Sequence, residues 1–123
     1  MKTKRTQLRR FATQDLDHMV MLESDPQVMR FTPSRVPQSR GQTKVRLDAL
    51  IEKAARDGDL GVWAAETQET KEFVGWFMLL KRDAEIPELG FMVVQKHWGS
   101  GFASEIAKFL VDYACKKLQY QSL

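Results

Sequence analysis

The chain has 123 residues, 43% hydrophobic and 28% charged, and its 19 basic and 16 acidic side chains give a formal net charge of +3. That length and mixture predict one soluble domain, residues 1–123, with its own core, rather than a disordered chain, and no apolar run approaches membrane-spanning length. A single cysteine, Cys115, rules out an internal disulfide and a cysteine-based zinc cluster, and with no apolar leader the expected compartment is the cytoplasm.

Lys2, Lys4, Arg5, Arg9 and Arg10 crowd the first ten residues without interleaved aromatics. They read as a solvated tail and first strand rather than a nucleic-acid surface. Thr6 to Phe11 can form a short strand, after which Thr13 is the expected N-cap of a helix carrying Asp15 and Asp17 in its first turn and Leu16, Met19 and Val20 on one face. Asp25-Pro26 starts a second brief turn through Phe31, with proline in the first helical position. Thr32 to Gln42 has no apolar period and reads as an exposed loop. Leu47, Leu50, Ile51, Ala54 and Ala55 then share a helical face, and Gly58 is placed to end that helix.

From Leu60 the pattern changes to aromatic and β-branched runs. Leu60 to Glu66 and Phe73 to Leu80, joined by the polar stretch Thr67 to Glu72, predict an antiparallel hairpin. The charged turn Lys81 to Glu85 leads to a third run, Glu88 to Gln95. Ala103, Ile106, Ala107, Leu110, Val111, Ala114 and Leu118 mark a long amphipathic helix, with Glu105 near its start and Lys116 and Lys117 near its end, and Gln119 to Leu123 could open another strand. Cys115 falls inside this helical pattern and is expected to be a packing residue.

The passage into that helix carries the chemistry, because Gly99 and Gly101 stand where a strand must become a helix. Glycine admits backbone torsions closed to other residues, and free N–H groups at a helix N-terminus attract phosphate. Ser104 occupies the place of a third glycine and no P-loop lysine follows, so neither a dinucleotide fingerprint nor a triphosphate loop is completed.

Trp98-Gly99-Ser100-Gly101-Phe102-Ala103-Ser104-Glu105 resembles the pyrophosphate loop of the GNAT acetyltransferases, in the branch that includes ribosomal-protein N-terminal acetyltransferases. That family's loop runs Gln/Arg-x-x-Gly-x-Gly/Ala; here Trp98 takes the first position and Gly101 and Ala103 fit the later ones. Leu8-Arg9-Arg10-Phe11, Asp25-Pro26-Gln27-Val28-Met29-Arg30-Phe31, Phe73-Val74-Gly75-Trp76 and Glu88-Leu89-Gly90-Phe91 resemble landmarks of the same branch in the same order.

The resemblance implies an α/β fold of the α+β type: a mixed, largely antiparallel sheet flanked by helices, in the order β-α-α-β-β-β-α. It implies acetyl-coenzyme A as co-substrate, no metal, and direct attack by an amine, either a protein N-terminus or a small molecule. The backbone of Phe91, Met92 and Val93 would flank the acetyl group and pantetheine arm, Trp98, Gly99, Ser100, Gly101, Phe102, Ala103 and Ser104 would hold the pyrophosphate, and Glu88 is the candidate base. His97, Trp63, Trp76, His18, Arg35 and Arg40 are expected to be surface or packing residues. Family members normally continue with a fifth strand, a helix and two closing strands, so the N-terminal, coenzyme-binding part is expected here. A truncated, non-catalytic acetyl-coenzyme-A-binding or interaction module of the same fold is the alternative reading. A homodimer would cover the open edge at Phe91 to Val94, and neither nucleic acid nor membrane is an expected partner.

Overall fold

Alternation along the apolar runs places side chains on two faces of one sheet, and helices cover both. A computed structural model of the chain describes residues 1–30, 32, 36–57, 61–80 and 88–117, by backbone alone at 54–57, 80, 88 and 117. Four antiparallel strands, β1 (Thr6–Arg10), β2 (Gly61–Thr67), β3 (Phe73–Leu80) and β4 (Glu88–Val93), lie in the order β1-β2-β3-β4. Leu8 faces Ala65 across the first pair, Ala64 faces Trp76 across the second, and Phe77 faces Phe91 across the third.

Helices α1 (Leu16–Glu23), α2 (Pro26–Met29) and α3 (Arg40–Asp57) supply one face, where Met19, Leu22, Val28 and Leu47 pack with Val62, Ala64 and Phe73. Helix α4 (Phe102–Lys117) covers the other, burying Ile106, Leu110 and Ala114 against Leu8, Ala65, Phe77 and Leu79. Each of the larger buried side chains among these, Leu, Ile, Val, Met and Phe, stabilises the fold by roughly 1.5–3 kcal/mol relative to exposure.

The strands and the two longer helices follow the expected order, but the brief turn expected after Asp25 is a helix of its own, α2, so three helices rather than two separate β1 from β2, and there are further local corrections. Thr13 does not cap α1; residues Thr13–Asp15 form a 3-10 turn, and the Asp15 carboxylate accepts from the Ala12 amide at 2.8 Å. Asp25 does cap α2, accepting from the Gln27 amide at 2.9 Å ahead of Pro26. The loop expected to run to Gln42 ends earlier. Ser39 accepts from the Gln42 amide at 3.2 Å while Gln42 Oε1 accepts from the Ser39 amide at 2.8 Å, a reciprocal cap that starts α3 at Arg40. Gly58, Leu60, Lys81 to Glu85 and Leu118 to Leu123 lie outside the described residues.

Two close fits fix β4 beside β3. The Val74 carbonyl, at a register slip of the β2–β3 pair that sets Ala65 opposite Gly75 but Glu66 opposite Phe73, accepts from the Val94 amide at 2.9 Å. A Cβ on Gly75 would strike the Met92 carbonyl oxygen and stand 2.9 Å from Val93 Cα, so only glycine lets the two backbones approach this closely.

Candidate functional site

The chain leaves β4 at Val93, makes a 3-10 turn over Gln95–His97, and enters α4 at Phe102. Between them Gly99 (φ 78°) and Gly101 (φ 82°) occupy the left-handed region, which costs a non-glycine residue roughly 1–2 kcal/mol. A Cβ on Gly99 would meet nothing within 4 Å, whereas one on Gly101 would stand 3.4 Å from Arg5 Nη2. The Glu105 amide closes the first helical hydrogen bond, to the Gly101 carbonyl at 3.0 Å. Helix geometry therefore leaves the Phe102, Ala103 and Ser104 amides without intrahelical acceptors, pointing out of the N-terminus.

These amides border a cavity of about 710 Å³ that runs along β4, one of the two edge strands of the described sheet. Phe91, Met92 and Val93 line it from the strand, and Trp98, Gly99, Gly101, Phe102, Ala103 and Ser104 from the turn. Of the predicted coenzyme residues, Ser100 alone is not part of the lining. Phe91 is 49% exposed and stacks on Phe77 with ring centroids 5.4 Å apart. Trp98 donates its indole N–H to the Val93 carbonyl at 2.8 Å, which ties the turn to the strand end. Glu88 opens β4 opposite Leu80, and its side chain lies outside the described residues.

An extended ligand with an apolar arm and a phosphate-bearing end suits this lining. The wall is mostly apolar along the strand, the amides gather at the helix start, and open space surrounds Gly99. Val28, Arg30 and His97 also line the cavity. Val28 and Arg30 belong to the Asp25-to-Phe31 segment, whose likeness to a family landmark was legible but whose place beside the turn needed the fold.

Charge around the turn is arranged in two clusters. Glu105 accepts from Thr3 Oγ1 at 2.6 Å, from the Arg5 amide at 3.0 Å and from Arg5 Nε at 2.7 Å. Burial alone would raise the Glu105 carboxyl, but these bonds and the Arg5 charge hold it below the usual carboxylate range. The Arg5 guanidinium also lies over the Phe102 ring, 4.2 Å from its centroid. On the other side Glu72 pairs with Lys96 at 2.5 Å and stands 3.4 Å from His97 Nε2, an ion-pair distance without hydrogen-bond geometry. His97 is thus no exposed loop residue: its side chain is 11% exposed and its ring meets Phe102 edge-on at 5.2 Å.

Other sequence candidates lie elsewhere. His18, for which the sequence suggests no partner, stacks on Phe73 at 4.8 Å with Nδ1 3.2 Å from Asp15. Arg40 pairs with Asp17 at 2.9 Å, and Arg35 lies outside the described residues. Trp63 is buried, Trp76 and Cys115 are half-buried. Much of the basic N-terminus is internal cross-linking rather than a solvated tail. Arg9 holds the buried Asp15 at 2.7 Å and Glu66 at 3.2 Å, and Arg10 lies over Trp63 at 4.6 Å. No described helix is long and apolar enough to cross a membrane.

Residues 5–123 match the family described as Acetyltransferase (GNAT) domain, and the chain belongs to that family. It is 31% identical over 122 residues to the Bacillus licheniformis protein named uncharacterized N-acetyltransferase p20, covering 94% of this chain and 66% of that one. It is 28% identical over 129 residues to the FsC-acetyl coenzyme A-N(2)-transacetylase of Aspergillus fumigatus, covering 94% of this chain and 52% of that one. Its fold is similar to that of a GNAT-family acetyltransferase from Bacillus anthracis, with a TM-score of 0.83, 21% identity, and coverage of 97% of this chain and 68% of that structure. The chain thus spans between about half and two thirds of the length of these curated relatives.

Proposed function

We propose that the chain is the coenzyme-binding part of an N-acetyltransferase that transfers an acetyl group from acetyl-coenzyme A to a primary amine. The observation that carries this is one continuous cavity bordered by the outer strand β4 and by the Gly99–Ser104 turn, in a chain of the GNAT family. The relative from Aspergillus fumigatus, named as an acetyl coenzyme A transacetylase, supports the choice of acyl donor.

When bound, acetyl-coenzyme A would supply an activated acetyl thioester. The backbone of Phe91, Met92 and Val93 would pair with the ligand's arm as a strand edge pairs with an extended partner. Amides from Gly99 to Ser104 would receive the pyrophosphate, with the helix dipole adding about half a positive charge. Glu88, at the head of β4, is the candidate general base that takes the amine's proton on its carboxylate. The acceptor is a protein N-terminus or a small amine, and the cytoplasm is the proposed site of action.

Thermal unfolding with saturating acetyl-coenzyme A tests the reading, since a ligand held at 100 times its Kd adds about 2.7 kcal/mol. Gly101→Glu should erase that gain, because it sets a bulky anion at a left-handed position beside the proposed phosphate site. An unchanged melting temperature in the unaltered protein would count decisively against the proposal. Thiol release measured over a panel of amines and N-terminal peptides separates an enzyme from a non-catalytic coenzyme-binding module, which would bind without turnover.

A further inference from the structure

We infer that Arg5 is a positioning residue for the coenzyme turn, cancelling the Glu105 carboxylate so that the start of α4 stays attractive to a phosphate-bearing ligand. The inference rests on the proposed reading of the turn and adds a residue from the far end of the chain. Its physical basis is a conflict within the first turn of α4. The Phe102, Ala103 and Ser104 amides and the helix dipole favour an anion there. Glu105 follows them directly, and its amide bonds to Gly101, so a full negative charge sits within one helical turn of the amides. That separation is below the roughly 8 Å Debye length of physiological salt, so solvent ions do not hide it.

The structure resolves the conflict with residues 100 and 102 positions away. Thr3 and Arg5 together give the carboxylate three hydrogen bonds, the shortest 2.6 Å, and turn it toward β1. Arg5 is not part of the cavity lining, so it acts through the turn and not on the ligand. Its guanidinium touches each part that matters: 2.7 Å from Glu105, 4.2 Å from the Phe102 ring centre, and 3.4 Å from where a Gly101 Cβ would stand. A neutral brace could shape the turn equally well. Only a cation also removes the repulsion.

Calorimetric titration of the purified chain with coenzyme A, below the melting temperature of each variant, separates the two roles. Arg5→Met should weaken binding about five- to tenfold, and the deficit should shrink in 0.5 M salt. Adding Glu105→Gln to Arg5→Met should bring affinity back to within about twofold of the unaltered protein, although the brace is still missing. Arg5→Lys, which keeps the charge without the planar fork, should stay close to the starting affinity. Arg5→Met binding normally, or the double variant binding as weakly as Arg5→Met, would overturn the inference. If Arg5→Met does not fold, Glu105→Gln alone decides: affinity equal to or tighter than the starting value supports charge cancellation, and a loss refutes it. No coenzyme binding by the unaltered protein would remove the coenzyme reading itself, and this inference with it.

Discussion

The Trp98 indole reaches back five residues to the Val93 carbonyl, so the residue that opens the glycine turn also satisfies the last acceptor of β4. Trp98 is 40% exposed, which makes the bond more a geometric clamp than a core contact. Trp98→Phe keeps the aromatic bulk and deletes the donor. Urea denaturation should show a loss of about 1 kcal/mol, the ordinary worth of one such bond, together with weaker coenzyme binding. An unaltered denaturation midpoint and affinity would show that the clamp is idle.

Gly75→Ala tests the close approach of β3 and β4. The added methyl has backbone on its far side, the Met92 carbonyl and Val93 Cα, so neither a rotamer change nor a flexible side chain can relieve it. We expect a loss of roughly 3 kcal/mol or more, by thermal or urea unfolding. A near-neutral result would mean that β4 can move away from β3, and the cavity along it would then be adjustable.

Asp15 gives a pH-dependent prediction. Burial would raise its carboxyl, but hydrogen bonds from Arg9 and the Ala12 amide, with the Arg9 charge and His18, hold it below the usual range. A depressed folded pKa gives stability that is fully present above the unfolded value near 3.9 and lost as pH falls through the folded one. Asp15→Asn should therefore cost about 2–4 kcal/mol at pH 7, leaving Arg9 short of a partner. The two proteins should converge as acidification protonates the carboxylate, and parallel denaturation curves from pH 7 to pH 3 would contradict this account.

Lys71 is a place where stability can be gained. It closes the β2–β3 turn at φ 61°, the one positive-φ side chain among the described residues, and its Nζ makes only a long 3.4 Å bond to Gln7. Lys71→Gly should stabilise the protein by about 0.5–1 kcal/mol, because the left-handed torsion carries no cost for glycine. A lowered melting temperature would show that unfolded-chain entropy outweighs the relief.

Residues with local rules were legible in the sequence. β3 spans Phe73–Leu80 as its aromatic run predicts, Asp25-Pro26 caps α2, and the glycine pair marks the strand-to-helix turn. The start of α3 was also encoded, since Ser39-Arg40-Gly41-Gln42 is a capping box, but the prolines and missing apolar period before it pointed to a loop. What stayed hidden depends on distant partners. Asp15 looked like a helix-start carboxylate until Arg9 and Ala12 surrounded it, and Arg5 looked like tail charge until Glu105 folded onto it. Arg30 reaches the cavity because Val28 of α2 joins the same apolar cluster as Met92 and Val94, a placement no spacing rule contains.

The bridge between the first strand and α4 also bears on how the molecule comes into being. Arg5 leaves the ribosome before its partner Glu105, which is made 100 residues later, so this end of the fold cannot close until the start of α4 has been synthesised. Long-range closures of this kind are slow, and the phosphate-facing bend should mature last, after the β2–β3 hairpin has already formed. A nascent chain stalled before α4 would hold most of its sheet and still lack the feature on which its chemistry depends.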